Sequence, residues 1–337
     1  MTKQLTYAIA DVEPYINWLY YYHAWQTTDD GQQRRLRQEA DQMLAQLARR
    51  YRCHARFALL PAYGDGDDIV VATDQPAGSA PPSASPAADG KGTAWLRLPM
   101  LRQQQAASRH LCLADFVKPA AAPVPGASPA AAPGVSPAAA PGVSPAAAPG
   151  ASIAAVPGAS IARPVPGGIS AGVPADTIGL FATTVDPGLE SDFDHDPYLK
   201  MMVQLLADRL AEATAELMHQ QVRTTYWGYA PDEQLTIHQL HQELFQGIRP
   251  AVGYPSLPDA SINFVLDRVL HFDTIGIRLT TSGAMKPHAS VSGLMISHPK
   301  ATYFAVGKIG HDQLADYARR RQLPPTLLRR FLAANLQ

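Results

Sequence analysis

"RPAVGYPSLPD", Arg249 to Asp259, sets three prolines, one glycine and one tyrosine behind a single arginine. Proline fixes φ at Pro250, Pro255 and Pro258, and it biases Arg249, Tyr254 and Leu257 towards extended backbone. Gly253 allows a conformation closed to other residues. The stretch therefore reads as a stiff, irregular strand whose peptide groups lack regular partners. Such groups must bond to water, to other loops or to a ligand. Two readings fit. One is a small-molecule cradle with a guanidinium at one end and a phenol in the middle. The other is a crossing loop pinned by Tyr254.

The flanking sequence mixes helices and strands. Asp196 caps and Pro197 opens the longest helix, "DPYLKMMVQLLADRLAEATAELMHQQV", with Leu199, Val203, Leu206, Leu210, Ala213 and Leu217 as its apolar stripe. A second helix spans 33–50, a shorter one 237–245, and two more, "DQLADYARRR" and "PTLLRRFLAANL", close the chain. Strand patterns occur in "DIVVAT", "AWLRLP", "LCLADFV", "DTIGLFATTV", "TIGIRLTT", "VSGLMIS" and "TYFAVGKI", with "HPKA" as a hairpin turn between the last two. Strands cluster rather than alternate with helices, which predicts an α+β fold.

Residues 119–174 are almost all Ala, Pro, Gly, Ser and Val, and "PGVSPAAA" recurs at Pro133 and Pro141. Frequent proline blocks helix and sheet, and small side chains bury too little area to offset the ordering entropy. The segment reads as a disordered Ala/Pro-rich loop, with a smaller relative at 75–92. Lengthening a loop eightfold costs about 2 kcal/mol of closure entropy. One domain, residues 1–118 and 175–337, interrupted by these inserts is therefore the expected organisation.

With 337 residues and a formal net charge of -1, the chain has no broad cationic field, so nucleic acid is not an expected partner. The basic run at Arg319, Arg320, Arg321, Arg329 and Arg330 reads as a solvated helix face. Two cysteines, Cys53 and Cys112, fit a reducing compartment. No apolar run is long enough for a membrane span or a leader, so a cytoplasmic location is expected. "GDGDD" at Gly64 is a surface turn rather than a dinucleotide fingerprint. His238 and His241, with Glu243 nearby, lack a third ligand of matched spacing, so no metal site is expected. No partnered histidine accompanies Ser290 or Ser292, and no catalytic acid, base or nucleophile stands out.

"RTTYWGYAPDEQL", "FQGIRPAVGYPSLPD", "ASVSGLMISHP" and "YFAVGKIGHDQLADYARRR" together resemble the activation (reactivation) domain of cobalamin-dependent methionine synthase. "PYINWLYYYHAW", "LRQQ", "LCLADFV" and "ADRLAEATAELMH" match the same family in the same order. The resemblance covers nearly the whole chain outside the inserts. It implies a C-shaped α+β domain around a twisted antiparallel sheet that binds S-adenosylmethionine. It also implies a role in reductive methylation of cob(II)alamin, with the electron coming from a flavodoxin-like protein or a flavin reductase. By this resemblance Arg249 pairs the ligand carboxylate, Ala251 brings backbone against the ligand, and Tyr254 supplies a hydroxyl and a ring. Tyr303 and Phe304 form an aromatic pair across the site. Glu212 and Glu243 are acidic positions near it.

Where the family has an aspartate in "YIDW", this chain has Asn17, which keeps an acceptor and loses the charge that would hold the ligand ammonium. Thr281, Gly283, Lys286 and His288 also depart from the family, at positions implied to face the cobalamin partner. No D-x-H-x-x-G stretch, the family's cobalamin-ligand motif, occurs. The expectation is thus a factor acting in trans on a cobalamin-binding methionine synthase chain. A binding module that only senses S-adenosylmethionine or docks a corrinoid protein, and a degenerate scaffold, are the alternatives.

Overall fold

The computed structural model describes residues 1–73, 94–105, 109–120 and 176–337. β1 (Thr2–Ala8) leads through α1 (Ile9–Val12), α2 (Trp18–Ala24) and α3 (Asp30–Leu47) to β2 (Arg52–Asp65), β3 (Asp68–Thr73) and β4 (Ala94–Pro99). β5 (Asp176–Val185) and α4 (Pro197–Gln221) follow, then α5 (Ile237–His241), α6 (Ile262–Leu270), β6 (Arg278–Leu279), β7 (Met285–Lys286), β8 (Ser290–Met295), α7 (His311–Arg321) and α8 (Pro325–Phe331).

The main sheet runs β4-β3-β2-β5-β8, with β1 also paired to β2, and every pairing is antiparallel. Strand side chains alternate between faces, and both faces of this sheet are covered. Cys53, Ala55, Phe57, Phe181, Val185 and Met295 pack with α1, α3 and α4 on one side. Ala58, Leu60, Leu180, Ala182 and Leu294 pack with α6 on the other. Asp196 accepts from the Tyr198 and Leu199 amides at the start of α4. The Thr183 hydroxyl then fastens α4 to β5 by donating to Ala211 O at 3.0 Å. An antiparallel sheet flanked by helices is the α+β arrangement that the clustering of strands implies.

Several local expectations are corrected. The longest strand, β2, escapes the pattern search because Pro61 sits inside it. Odd residues of β2 turn their amides to the β1 side, as the Leu59 amide does in reaching Met1 O at 2.7 Å. Pro61 falls where β1 has ended and β3 has not yet begun, so no ladder bond is lost. "LCLADFV" is not a strand: Leu113–Phe116 form a 3-10 turn, closed by Asp115 accepting from the Cys112 amide. "TIGIRLTT" contributes only Arg278–Leu279, because Phe272–Ile275 coil into a 3-10 turn that ends at Gly276 with φ +84. "TYFAVGKI" is not a strand either, so no hairpin joins it to β8. The helix expected over 237–245 stops at His241, and Glu243 takes φ +58. β1 and α6 have no counterpart in the sequence reading.

The basic run is solvated only in part: Arg319, Arg329 and Arg330 are exposed, but Arg320 and Arg321 turn inward. Arg321 is buried, with its Nη2 donating to Ser261 Oγ at 2.7 Å, and Arg320 pairs with Asp68 and Asp316. The Ala/Pro-rich segment expected over 119–174 lies outside the described residues from residue 121 onward, as does 75–92. Among the described residues no helix is long and apolar enough to cross a membrane.

Candidate functional site

The Arg249–Asp259 ribbon leans on the outer edge of β8. Ile248 and Ile296 exchange two amide bonds at 2.9 Å, Leu294 N donates to Pro250 O at 3.0 Å, and Val252 N donates to Ser292 O at 2.9 Å. This corrects the expectation of unpartnered peptide groups: Pro250 and Val252 continue the sheet ladder, and the Gly253, Tyr254 and Leu257 amides donate within the ribbon, to Leu257 O, Ala251 O and Tyr254 O. Gly293 permits the approach: a Cβ there would stand 2.2 Å from Pro250 O. The period of two turns the other edge, Arg249 and Ala251, away from β8. The Arg249 amide donates to Tyr303 Oη at 2.8 Å. The Ala251 N–H has no hydrogen-bond partner among the described residues.

The second irregular segment is lashed to the first. Besides the Tyr303–Arg249 bond, Phe304 N donates to Ser256 Oγ at 3.2 Å, the Ser256 hydroxyl donates to Phe304 O, and Val306 N donates to Pro255 O at 2.9 Å. These bonds take the place of a strand in "TYFAVGKI" and set both aromatic rings beside the ribbon.

The facing wall is α4. Arg209, Glu212, Ala213 and Glu216 recur at helical spacing on one face. With α2, the ribbon and the aromatic pair they enclose a cleft of about 640 Å³. All eight residues singled out from the sequence, Asn17, Glu212, Glu243, Arg249, Ala251, Tyr254, Tyr303 and Phe304, line this one cleft. Tyr254 Oη donates to Glu212 Oε1 at 2.6 Å across the mouth. Asn17 lies in the cleft but has a second task, since its Oδ1 caps α2 by accepting from Leu19 N at 3.2 Å. Glu243 stands at the exposed rim. Partial desolvation raises its pKa; Arg249 opposes this and Glu216 adds to it.

Glu216 and His219 were missed from the sequence. Glu216 lies one helical turn beyond Glu212, so the face defined by Glu212 was the signal that could have found it. Arg249 Nη2 donates to Glu216 Oε2 at 3.1 Å and its Nη1 to Ala215 O at 3.1 Å. Burial alone would lower the Arg249 pKa, but Glu216 and Tyr303 hold it above the ordinary arginine value, so the guanidinium stays charged. Behind it His219 is fully buried. Its Nδ1 accepts from Arg223 Nη1 at 2.8 Å and lies 3.4 Å from Arg249 Nη1. A guanidinium cannot accept a hydrogen bond, so Nδ1 is the bare nitrogen and the ring is neutral. Burial, then Arg223 and Arg249, pushes its pKa well below the usual histidine value. Arg223 is fixed in turn by a two-point bond to Glu233 at 2.8 and 2.7 Å.

His241 spends its Nε2 on Tyr15 O at 3.0 Å. Among the described residues no group of three or more His, Cys, Asp or Glu side chains is placed to hold a metal ion. The cleft thus offers one held cation, several carboxylates, aromatic faces and an open amide, which suits a small zwitterion with an aromatic part.

The family model for the vitamin B12-dependent methionine synthase activation domain matches residues 8–127 and 169–322. The chain belongs to this family. A solved structure of the MetH reactivation domain bound to AdoHcy is similar to it at 31% sequence identity with a TM-score of 0.74, covering 100% of this chain and 90% of that one.

Proposed function

We propose that the cleft binds S-adenosylmethionine and that the chain serves the reductive methylation of a cobalamin carried on a partner chain. One observation carries the reading. Residues drawn from α2, α4, the ribbon and the Tyr303–Phe304 segment, far apart in sequence, converge on one cleft with Arg249 held charged in its wall. The similar solved structure, with AdoHcy bound to a reactivation domain, supports the ligand class.

The residues fit the ligand. A volume of about 640 Å³ lies in the range of small-molecule sites. Arg249 suits a carboxylate, and the Ala251 N–H offers a main-chain donor. The rings of Tyr254, Tyr303 and Phe304 suit adenine and a sulfonium, whose charge Glu212 and Glu243 can balance. Bound S-adenosylmethionine would supply the methyl group. What the protein would contribute is the position of that methyl group. A flavodoxin-like protein or flavin reductase would deliver the electron. The same reading takes residues 1–118 and 175–337 as one unit, with 119–174 and 75–92 as inserts. The Lys118 amide donates to Asp176 Oδ2 at 2.9 Å, so the ends of the larger insert meet.

Titration calorimetry of the chain with S-adenosylmethionine tests the first half; saturable one-to-one binding is expected, and no heat together with no thermal shift rejects it. Mixing the chain with a cobalamin-binding methionine synthase chain, reductant and methyl-labelled S-adenosylmethionine tests the second. Label should appear on the corrinoid, and its absence despite proven binding would leave a binding module only.

A further inference from the structure

The side chain of Glu216 is underused. Its Oε2 accepts one bond from Arg249, while its Oε1 is buried and accepts none. An ionised carboxylate has about four lone-pair sites, and leaving buried capacity unfilled is costly. The other candidate anions of the cleft differ. Glu212 Oε1 is taken by Tyr254 Oη, and its Oε2, unlike Glu216 Oε1, is not among the buried oxygens left without a partner. Glu243 sits at the exposed rim with a raised pKa. Asn17 carries no charge, and its oxygen is engaged in capping α2.

Amino-acid geometry selects among them. The ammonium of an α-amino acid is bonded to the carbon that bears the carboxylate. The group that holds the ammonium must therefore adjoin the group that holds the carboxylate. Glu216 is in direct contact with Arg249, at 3.1 Å. Rotation about the last bond of a glutamate side chain is soft, so its unfilled oxygen can turn to a donor entering beside the guanidinium.

We infer that Glu216 is the ammonium-binding residue of this cleft, and that Glu216 and Arg249 receive the two charges of the amino-acid end of the ligand as a matched pair. Without ligand the two satisfy each other in part. With ligand each keeps its partner nearby and gains a second. The inference rests on the reading of the cleft as a site for a sulfur-linked adenosyl amino acid.

The test uses three compounds on the full chain: S-adenosylhomocysteine, its analogue with hydrogen in place of the ammonium, and 5′-methylthioadenosine, which lacks the amino-acid end. In the native chain the first should bind roughly ten- to a hundredfold more tightly than the second, the range for a charge-assisted hydrogen bond. Glu216→Gln should erase most of that preference while 5′-methylthioadenosine binds as before. A preference that survives Glu216→Gln overturns the assignment. So does tighter binding of S-adenosylhomocysteine to that variant, which would make Glu216 a competitor for Arg249. Should Glu216→Gln lack a cooperative thermal transition, Glu216→Asp replaces it. Withdrawal of the carboxylate by one methylene should shrink the preference several-fold, and an unchanged preference again overturns it. If the native chain binds none of the three, the cleft reading falls and this inference with it. If the native chain binds them and only the variants disagree, the assignment alone falls.

Discussion

Two arginine–carboxylate clusters in this molecule look alike in composition and differ in completeness. At the β2–β3 turn the buried Asp68 accepts from Arg97 at 2.7 Å and from Arg320. Arg97 also reaches Asp65 at 2.8 Å, Arg320 reaches Asp316 at 2.6 Å and Met100 O at 3.0 Å, and Arg102 bridges Asp67 and Asp115 at 2.7 Å each. Among the described residues, none of these carboxylates retains a buried oxygen without a partner. In the cleft, Arg249 has Glu216, but Glu216 Oε1 and the Ala251 amide have no partner among the described residues. A closed network holds chain to chain. An open one of the same residue types, lining a cavity, leaves hydrogen-bond capacity that an entering molecule could fill.

The contrast can be broken by experiment, most forcefully at Arg249. Arg249→Met should weaken binding of S-adenosylhomocysteine by roughly a hundredfold or more, read by calorimetry, because a charge-paired anchor is lost. Asp68→Asn should leave that affinity unchanged and lower the unfolding free energy by about 3 kcal/mol in urea melts, the cost of breaking a buried pair from one side. If Asp68→Asn instead changes affinity and leaves the melt alone, the distinction between the clusters is wrong.

A third measurement sharpens the electrostatics behind the cleft. His219 is neutral in the fold, with its pKa well below the ordinary 6.5. Below pH 6.5 the unfolded chain takes up a proton that the folded chain refuses. The stabilising contribution is therefore complete above pH 6.5 and is lost as pH falls from there towards the folded value. The loss amounts to up to about 1.4 kcal/mol per pH unit. His219→Gln should flatten that part of the stability–pH curve, and an unchanged slope would place the titration elsewhere. A smaller effect is expected at Asn17→Asp, which restores a charge near the ligand ammonium while keeping a helix cap: affinity should tighten several-fold. Last, with no change in affinity expected, removing residues 120–171 should leave the fold intact and raise the thermal midpoint by only a few degrees, since shortening the loop roughly tenfold recovers about 2 kcal/mol of closure entropy.

What could be read from the sequence follows from how each region is held. β3, β5 and β8 are buried on both faces and read as short apolar runs, while α3 and α4 carry their stripes at helical period with Asp196 as a clear cap. Those signals are local. Pro61 in β2 misled because its fitness depends on where two other strands end, which no window of sequence contains. The segment around Tyr303 alternates like a strand, yet it is held by Tyr303, Ser256 and Val306 rather than by a ladder. The eight residues named from the long motifs meet in one cleft. Glu216 was not found, because helical spacing from Glu212 gives its face but not its contact with Arg249, 33 residues further along the chain. His219 hid in an apolar stripe, where a neutral imidazole looks like packing.

The position of the ribbon has a cost for any lesion in it. β8 is the last strand of the sheet, and the segment from Ile248 to Val252 is what covers its outer rim. Open strand rims invite pairing between molecules. Damage that peels this segment away would therefore show itself as clumping of the protein and would also strip one wall from the cleft, so solubility and the shape of the cleft are guarded by the same five residues.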